Sequence, residues 1–394
     1  MPESWRIVDA DNHYYEPDDC FSRHIEPRFR DRCVRIVRDG GGPGRPHLGE
    51  APMYFLVSNP ADLVGRPGAV VARKDERYEP LPPDQLIRAR EVAELMDRSA
   101  RLDWMDARGI DAVLLFPSLA LTVEHQLRDD TRVCVANLRA FNRWLDEDWG
   151  FSYRDRIVAV PFLTLVDLGS ALSELEWVLD HGARAVHLLF APVQGRSIAD
   201  PYFDPFWARL SEAGIPVCFH GCDAGYSELF SVQFGEPPRP PAHAQSAFQR
   251  AFFYGERPIM DTLGCLVLHN LFGRFPTLQV MSIENGSAWV PYLLRVMDKA
   301  AKTGAQGRWL GGPVTERPSE IFKRHVSVAP FDDDDARALI DLIGADRVLL
   351  GSDYPHPEGY PEPREFFSGV PLSDDERRRI ERANTARLLG LPTA

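Results

Sequence analysis

Two stretches at opposite ends of the chain combine acids and histidines at spacings that suit a metal ion. The first, Arg6-Ile-Val-Asp-Ala-Asp11-Asn-His13-Tyr-Tyr-Glu16-Pro17, is an apolar run that ends in Asp11, His13 and Glu16. Side chains two apart on a strand share a face, so Asp11 and His13 can aim at one point, and Glu16 can curl back toward it. The second, Val348-Leu-Leu-Gly-Ser-Asp353-Tyr-Pro-His356, repeats the design: apolar strand, acid, histidine. Carboxylate with imidazole suits Zn, Fe or Mn rather than a soft-thiolate site. Alone, the first stretch also reads as a capped turn, because Asp, Asn and Pro are turn residues. Its recurrence at the other end favours metal.

The elements that would position these groups form a series. Apolar strands are expected at Ile7–Ala10, Ala112–Phe116, Ile157–Pro161, Ala185–Leu189, Pro216–Phe219, Gln279–Ile283, Val326–Val328 and Val348–Leu350. Near-continuous apolar runs mark strands covered on both faces, as in parallel sheets. Amphipathic stretches lie between them: Gln85–Arg108, Asp130–Trp149, Leu168–His181, Phe203–Ala213, Ile259–Phe275, Trp289–Lys302 and Asp332–Leu342. Eight such units are the arithmetic of a (β/α)8 TIM barrel, an α/β fold, and a single domain over residues 1–394 is expected. A doubly wound sheet often opens on a Gly-rich first turn, which Asp11-Asn-His13 is not. Two departures interrupt the series. Asp31–Pro82, after strand one, reads as a hairpin-bearing excursion with strands at Cys33–Val37 and Met53–Val57 around Gly40–Gly44. Cys222–Arg257, after strand five, is rich in Pro and aromatics and reads as a long loop on the catalytic face. That loop and Trp289–Leu294 are expected to wall a bulky, mostly apolar substrate.

A barrel builds its site at the C-terminal ends of its strands. Reading those ends adds His220, Glu284 and His325 to Asp11, His13 and Asp353. The expected metal ligands are Asp11, His13, Glu16, His220, Glu284 and Asp353, with His356 or His325 as acid or base. This oxygen-rich set favours Fe or Mn over structural Zn. No lysine ends strand four, so a carbamylated lysine cannot bridge two metals there; a carboxylate, Glu16 or Glu284, must help. His187 and His269 read as core residues, His125 and His243 as surface or loop. Without a G-x-S-x-G elbow, serine nucleophile chemistry has no support.

Net charge is −13, and no basic run supports a nucleic-acid surface. No window is apolar enough to span a membrane. The N-terminus lacks a basic-then-apolar signal, and the six scattered cysteines read as reduced thiols, so a cytoplasmic protein is expected, acting on a small molecule and assembled as a homo-oligomer.

Several motifs together resemble the amidohydrolase superfamily, in the branch of aminocarboxymuconate-semialdehyde decarboxylase. They are Asp-Ala-Asp-Asn-His13, Met105-Asp-Ala-Arg-Gly-Ile-Asp-Ala-Val, Asp204-Pro-Phe-Trp, His220, Gly273-Arg-Phe-Pro-Thr-Leu and Gly351-Ser-Asp353-Tyr-Pro-His356. Two positions depart from the family pattern. Asp11 replaces the first His of its His-x-His motif, and Glu284 replaces its sixth-strand His. This carboxylate-rich version is similar to the non-haem diiron monooxygenases of platensimycin-type diterpenoid pathways. That similarity implies two Fe ions, O2 and hydroxylation of a bulky, terpenoid-like and CoA-linked substrate. The family's commoner chemistry is the alternative: a mononuclear Zn or Mn hydrolase or non-oxidative decarboxylase. A decarboxylase of this branch would want a cation for the substrate carboxylate; Arg88, Arg98 and Arg101 precede strand two, with no sequence signal that places them in the site.

Overall fold

The structure, a computed structural model, describes residues 5–71 and 80–393. Its strands in chain order are β1 (Ile7–His13), β2 (Val34–Val37), β3 (Arg45–Leu48), β4 (Ala51–Pro52), β5 (Val64–Gly65), β6 (Leu86–Ile87), β7 (Ile110–Phe116), β8 (Ile157–Ala159), β9 (Val186–His187), β10 (Val217–His220), β11 (Val280–Ile283) and β12 (Val326–Val328). The chain is α/β. One parallel sheet has the order β1-β7-β8 and a second has β12-β11-β10-β9. Isolated bridges link their edges: Phe162 with His187, Val328 with Val348, and Asn12 with Tyr354. Pro161 has no N–H for a ladder, which ends β8 early, yet its carbonyl still accepts from His187 N at 2.9 Å. The expected last strand, Val348–Leu350, joins through single bonds, Leu349 N to Val328 O at 3.0 Å and Ala10 N to Leu350 O at 2.8 Å.

Val8, Ala10, Ala112, Leu114, Phe116, Val158, Cys218, Met281, Ile283 and Leu349 form one buried cluster between the sheets, joined by Ala386, Leu388 and Leu391 from the C-terminal segment. The opposite faces, such as Val113 and Leu115, pack into the larger core with the helices. Period-two alternation along β7 therefore feeds two cores, which is why its sequence reads as a continuous apolar run. Helix Thr131–Asp148 starts at Asp130, whose carboxylate accepts from Arg132 N and Val133 N, and helix Leu168–Asp180 starts at Asp167, which accepts from Ser170 N. Such caps satisfy N–H groups that have no partner inside the helix.

Three expectations need correction. In the excursion, β2 pairs with Arg45–Leu48 and not with Met53–Val57, because the loop 38–44 brings Arg45 opposite Val37. Residues 72–79 of that excursion lie outside the described residues. Gln85–Arg108 is α-helical only over Arg98–Ala107, where Asp97 caps Ser99 N and Ala100 N, with short 3-10 turns at Ala89–Glu91 and Ala93–Leu95 before it. A helix without a place in the sequence series, Pro318–His325, precedes β12 and displaces His325 from the site.

Candidate metal centre

The β1–β7 register shifts between Asp9 and Asn12, a bulge of the kind that re-aims side chains. Before it, Val8 and Ala10 point into the inner apolar cluster; past it, Asp11 and His13 take over that face. There they meet His220 from the end of β10, Glu284 just after β11 and Asp353 beyond Leu350. Asp11 Oδ1 lies 3.1 Å from His220 Nε2 and 3.3 Å from His13 Nε2. His13 Nε2 is also 3.3 Å from Asp353 Oδ1, and Glu284 Oε2 is 3.3 Å from His220 Nε2. Phe116 closes the floor, its ring centroid 4.3 Å from that of His220. Gly351 is required here, because a Cβ would press within 3.0 Å of the Asp11 Cβ.

The imidazoles are oriented to offer lone pairs. His13 Nδ1 donates to Pro117 O at 3.2 Å, and His220 Nδ1 donates to Gly221 O at 3.1 Å. Each ring thereby keeps its Nε2 for the cluster. His13 Nε2 is buried and has no hydrogen-bond partner, an orphaned acceptor of the kind a cation satisfies. Two overlapping donor sets have atoms within 4.8 Å of one another: Asp11, His13, His220 and Glu284, and His13, Glu284, Asp353 and His356. Glu284 and Asp353 both adopt left-handed backbone, φ 52° and 56°, a strained conformation for such residues and one that collects at functional sites. Hard oxygen donors plus imidazole fit Mn or Zn.

Electrostatics agree. Burial disfavours an imidazolium at His13, yet the Asp11 and Asp353 carboxylates, each with an oxygen 3.3 Å from Nε2, raise its pKa well above the ordinary value. Burial and the neighbouring Asp353 and Asp11 raise Glu284 well above the carboxylate range. The cluster thus competes for positive charge, which a proton or a metal ion can supply.

The remaining candidates separate. His356 belongs to the centre: its Nδ1 is 2.7 Å from Asp353 Oδ1 and its Nε2 is 3.0 Å from Ser118 Oγ. Glu16 falls in neither donor set; its Oε1 accepts from Leu119 N at 2.8 Å and Ala120 N at 3.0 Å, so it ties strand one to the turn after β7. His325 is not in the site. It is the last residue of the helix before β12, donates from Nδ1 to Leu278 O at 2.8 Å and stacks on Phe272. His187 is a buried core residue stacked on Phe162, and His269 bonds Ser197 Oγ at 2.8 Å. His125 is buried, not a surface residue. Trp289, Leu293 and Leu294 are likewise buried, with Trp289 Nε1 donating to Asn285 O, and the lining of the cavity that opens over the centre does not include them.

Sequence reasoning missed the groups behind the centre. Arg101 is fully buried and donates to Asn12 Oδ1 at 2.9 Å, His13 O at 2.6 Å and Glu94 O at 2.6 Å. Asp9 accepts from Asn12 Nδ2 at 2.6 Å and from Ser352 N at 3.0 Å, joining the two metal-binding stretches. Arg98 turns away to Glu147 O and Arg88 to Glu91. A signal for Ser118 was present: it stands just past a strand end. A cavity of about 620 Å³ opens over the centre, lined by Asp11, Glu284, Asp353, Asp332, Asp333 and Phe331 among others.

Comparison with known proteins places this arrangement. The model of the amidohydrolase family matches residues 10–391. The chain belongs to that family. An amidohydrolase from Mycobacterium avium subsp. paratuberculosis K-10 is 35% identical, with a TM-score of 0.88, and the match covers 98% of this chain and 100% of that one. The 5-carboxyvanillate decarboxylase of Sphingomonas paucimobilis matches at 17% identity and TM-score 0.62, covering 99% of this chain and 100% of that one. The 5-carboxyvanillate decarboxylase of Novosphingobium aromaticivorans DSM 12444, solved with manganese and 4-hydroxy-3-methoxy-5-nitrobenzoic acid, matches at 17% and 0.60, covering 99% and 97%. At these identities the two decarboxylases speak to the fold. Among the described residues, no helix is long and apolar enough to cross a membrane.

Proposed function

We propose that this amidohydrolase is a mononuclear metal-dependent enzyme that removes a carboxyl group from a small molecule without oxidation, and that its strand units work as one (β/α)8 barrel domain. The observation that carries this reading is the single orphaned His13 Nε2 at the meeting point of both donor sets. The two sets share His13 and Glu284, and the one lone pair of His13 Nε2 can serve only one ion, which favours a single ion over two. Asp11, His13, His220 and Asp353 would hold it, with Glu284 completing the shell, and the hard donors suit Mn or Zn. The manganese-bound decarboxylase among its structural neighbours supports that choice. The dinuclear-iron expectation is not supported: Glu16, which it needs for a second position, lies in neither donor set, and its Oε1 accepts from two backbone N–H groups.

When bound, the ion supplies a Lewis acid that fixes the substrate's oxygen and accepts the charge that develops. His356 serves as the acid. Asp353 holds its Nδ1, and Ser118 lies at its Nε2, so its proton sits at the edge of the centre. The C–C bond to the carboxyl group breaks, its electron pair stays on carbon, CO2 leaves, and the proton from His356 closes the new C–H bond. Arg101 and Asp9 keep β1 in register behind the ligands and take no part in the chemistry.

Hydrolysis of a neutral ester or amide is the second reading, favoured by Asp332 and Asp333 in the cavity wall, which disfavour an anionic substrate. One experiment separates the readings. Mn-loaded enzyme is offered hydroxybenzoates and esters of similar size under strict anaerobiosis, in 18O-labelled water. CO2 release that stops with a chelator and returns with Mn supports decarboxylation; 18O in a new carboxylate supports hydrolysis; turnover that waits for O2 refutes both.

A further inference from the structure

The loops after β7, β8, β9 and β10 enclose a second cavity of about 380 Å³, whose described lining shares no residue with the cavity over the metal centre. The volume lies within the roughly 300–1,000 Å³ of small-molecule sites. Its walls are mostly apolar, with Val166, Leu189, Ala191, Val193 and Phe230 contributing. The wall also carries His125, Arg128, Asp129 and Gln194, and set into it is Glu124. It is only 6% exposed, lines the cavity, and its Oε2 has no hydrogen-bond partner. A buried carboxyl oxygen without a donor is costly, and a ligand that brings a donor removes that cost.

The rim shows what the ligand is not. Arg128 is the cation that lines the cavity among the described residues, and its Nη2 is 3.2 Å from Glu228 Oε2. Glu228 also holds His125 Nε2 at 3.2 Å and Arg239 at 2.8 Å. These charges neutralise one another at the mouth, so none is left to receive an anion. Gly225, in the loop after β10, sits so closely against the His125 ring of the segment after β7 that a Cβ there would overlap it.

We propose that this cavity is a ligand site for a neutral, mostly apolar molecule bearing one hydroxyl, held at Glu124. Apolar walls take the hydrocarbon, and the hydroxyl, both donor and acceptor, meets the carboxyl group whichever protonation state it has. Burial pushes Glu124 up to about 7, against a hydrogen bond with Thr164. A carboxylate ligand would face an acid with no free cation nearby. The site stands on the opposite half of the strand ends from Asp11 and Asp353, and it does not depend on the reaction proposed above.

The probes are 3-phenylpropan-1-ol and 3-phenylpropanoate, titrated calorimetrically into the full-length protein at pH 7. The alcohol is expected to bind about tenfold more tightly than the carboxylate, the scale of one unpaired buried polar group. Val193→Trp, which fills the cavity from a surface loop, should weaken the alcohol at least about tenfold. Leu229→Trp does the same from the opposite wall, so a folding failure in one variant leaves the other. Glu124→Gln should narrow the gap between the two probes. Equal binding of alcohol and carboxylate, no binding of the alcohol, or undiminished binding by both Trp variants would overturn the site.

Discussion

Replacing Glu16 by Gln is the sharpest test of how the centre is built. The side chain is buried, and burial raises its pKa from 4.5 to about 6 against the hydrogen bonds from Ala120 and Leu119. A raised carboxyl pKa means that the folded state holds the proton longer than the unfolded chain. The contribution of Glu16 to stability is therefore most favourable below pH 4.5 and falls as the pH rises through 6, by at most about 2 kcal/mol for this shift. Gln keeps an oxygen for Leu119 N and Ala120 N but carries no charge, so this pH-dependent loss should vanish. Its extra NH2 needs a partner, which offsets part of the gain, and the net change at pH 8 should stay within about 2 kcal/mol. Metal content should not change. The assay is metal per chain by plasma emission after chelation and reloading with Mn, beside urea melts at pH 5 and pH 8. A fall from two metals to one, or complete loss of metal from a folded variant, would refute the assignment of Glu16 to the scaffold and restore the dinuclear reading.

Arg101→Met should act at a distance. It leaves Asn12 Oδ1, His13 O and Glu94 O without their donor, at a cost of about 3 kcal/mol or more in urea melts, and should weaken Mn affinity about 10–100-fold in a chelator competition. His325→Gln should leave metal affinity and turnover unchanged while losing about 1 kcal/mol with the bond to Leu278 O; a folded variant without activity would return His325 to the chemistry.

What the sequence by itself determined is local. An apolar run that stops at an acid or a histidine marks a strand end, and strand ends of a parallel α/β fold share one face, so Asp11, His13, His220, Glu284 and Asp353 were legible one by one. His356 was legible for the same reason, three residues past Asp353. The tertiary structure decided which of these groups meet and which partners they already have. Glu16 resembles a ligand until the amides of Leu119 and Ala120, a hundred residues on, are seen to hold it. His325 precedes its strand, Val326–Val328, in the expectation as in the structure, and its hydrogen bond to Leu278 O, from the last residue of helix Pro318–His325, is what sets it apart from the strand ends that build the site. Arg101 carried no signal, since its role consists of hydrogen bonds to backbone and amide groups of a distant strand. Composition and period report which face a residue takes, whereas the satisfaction of a buried charge is settled by contacts far apart in sequence, and only folding brings those together.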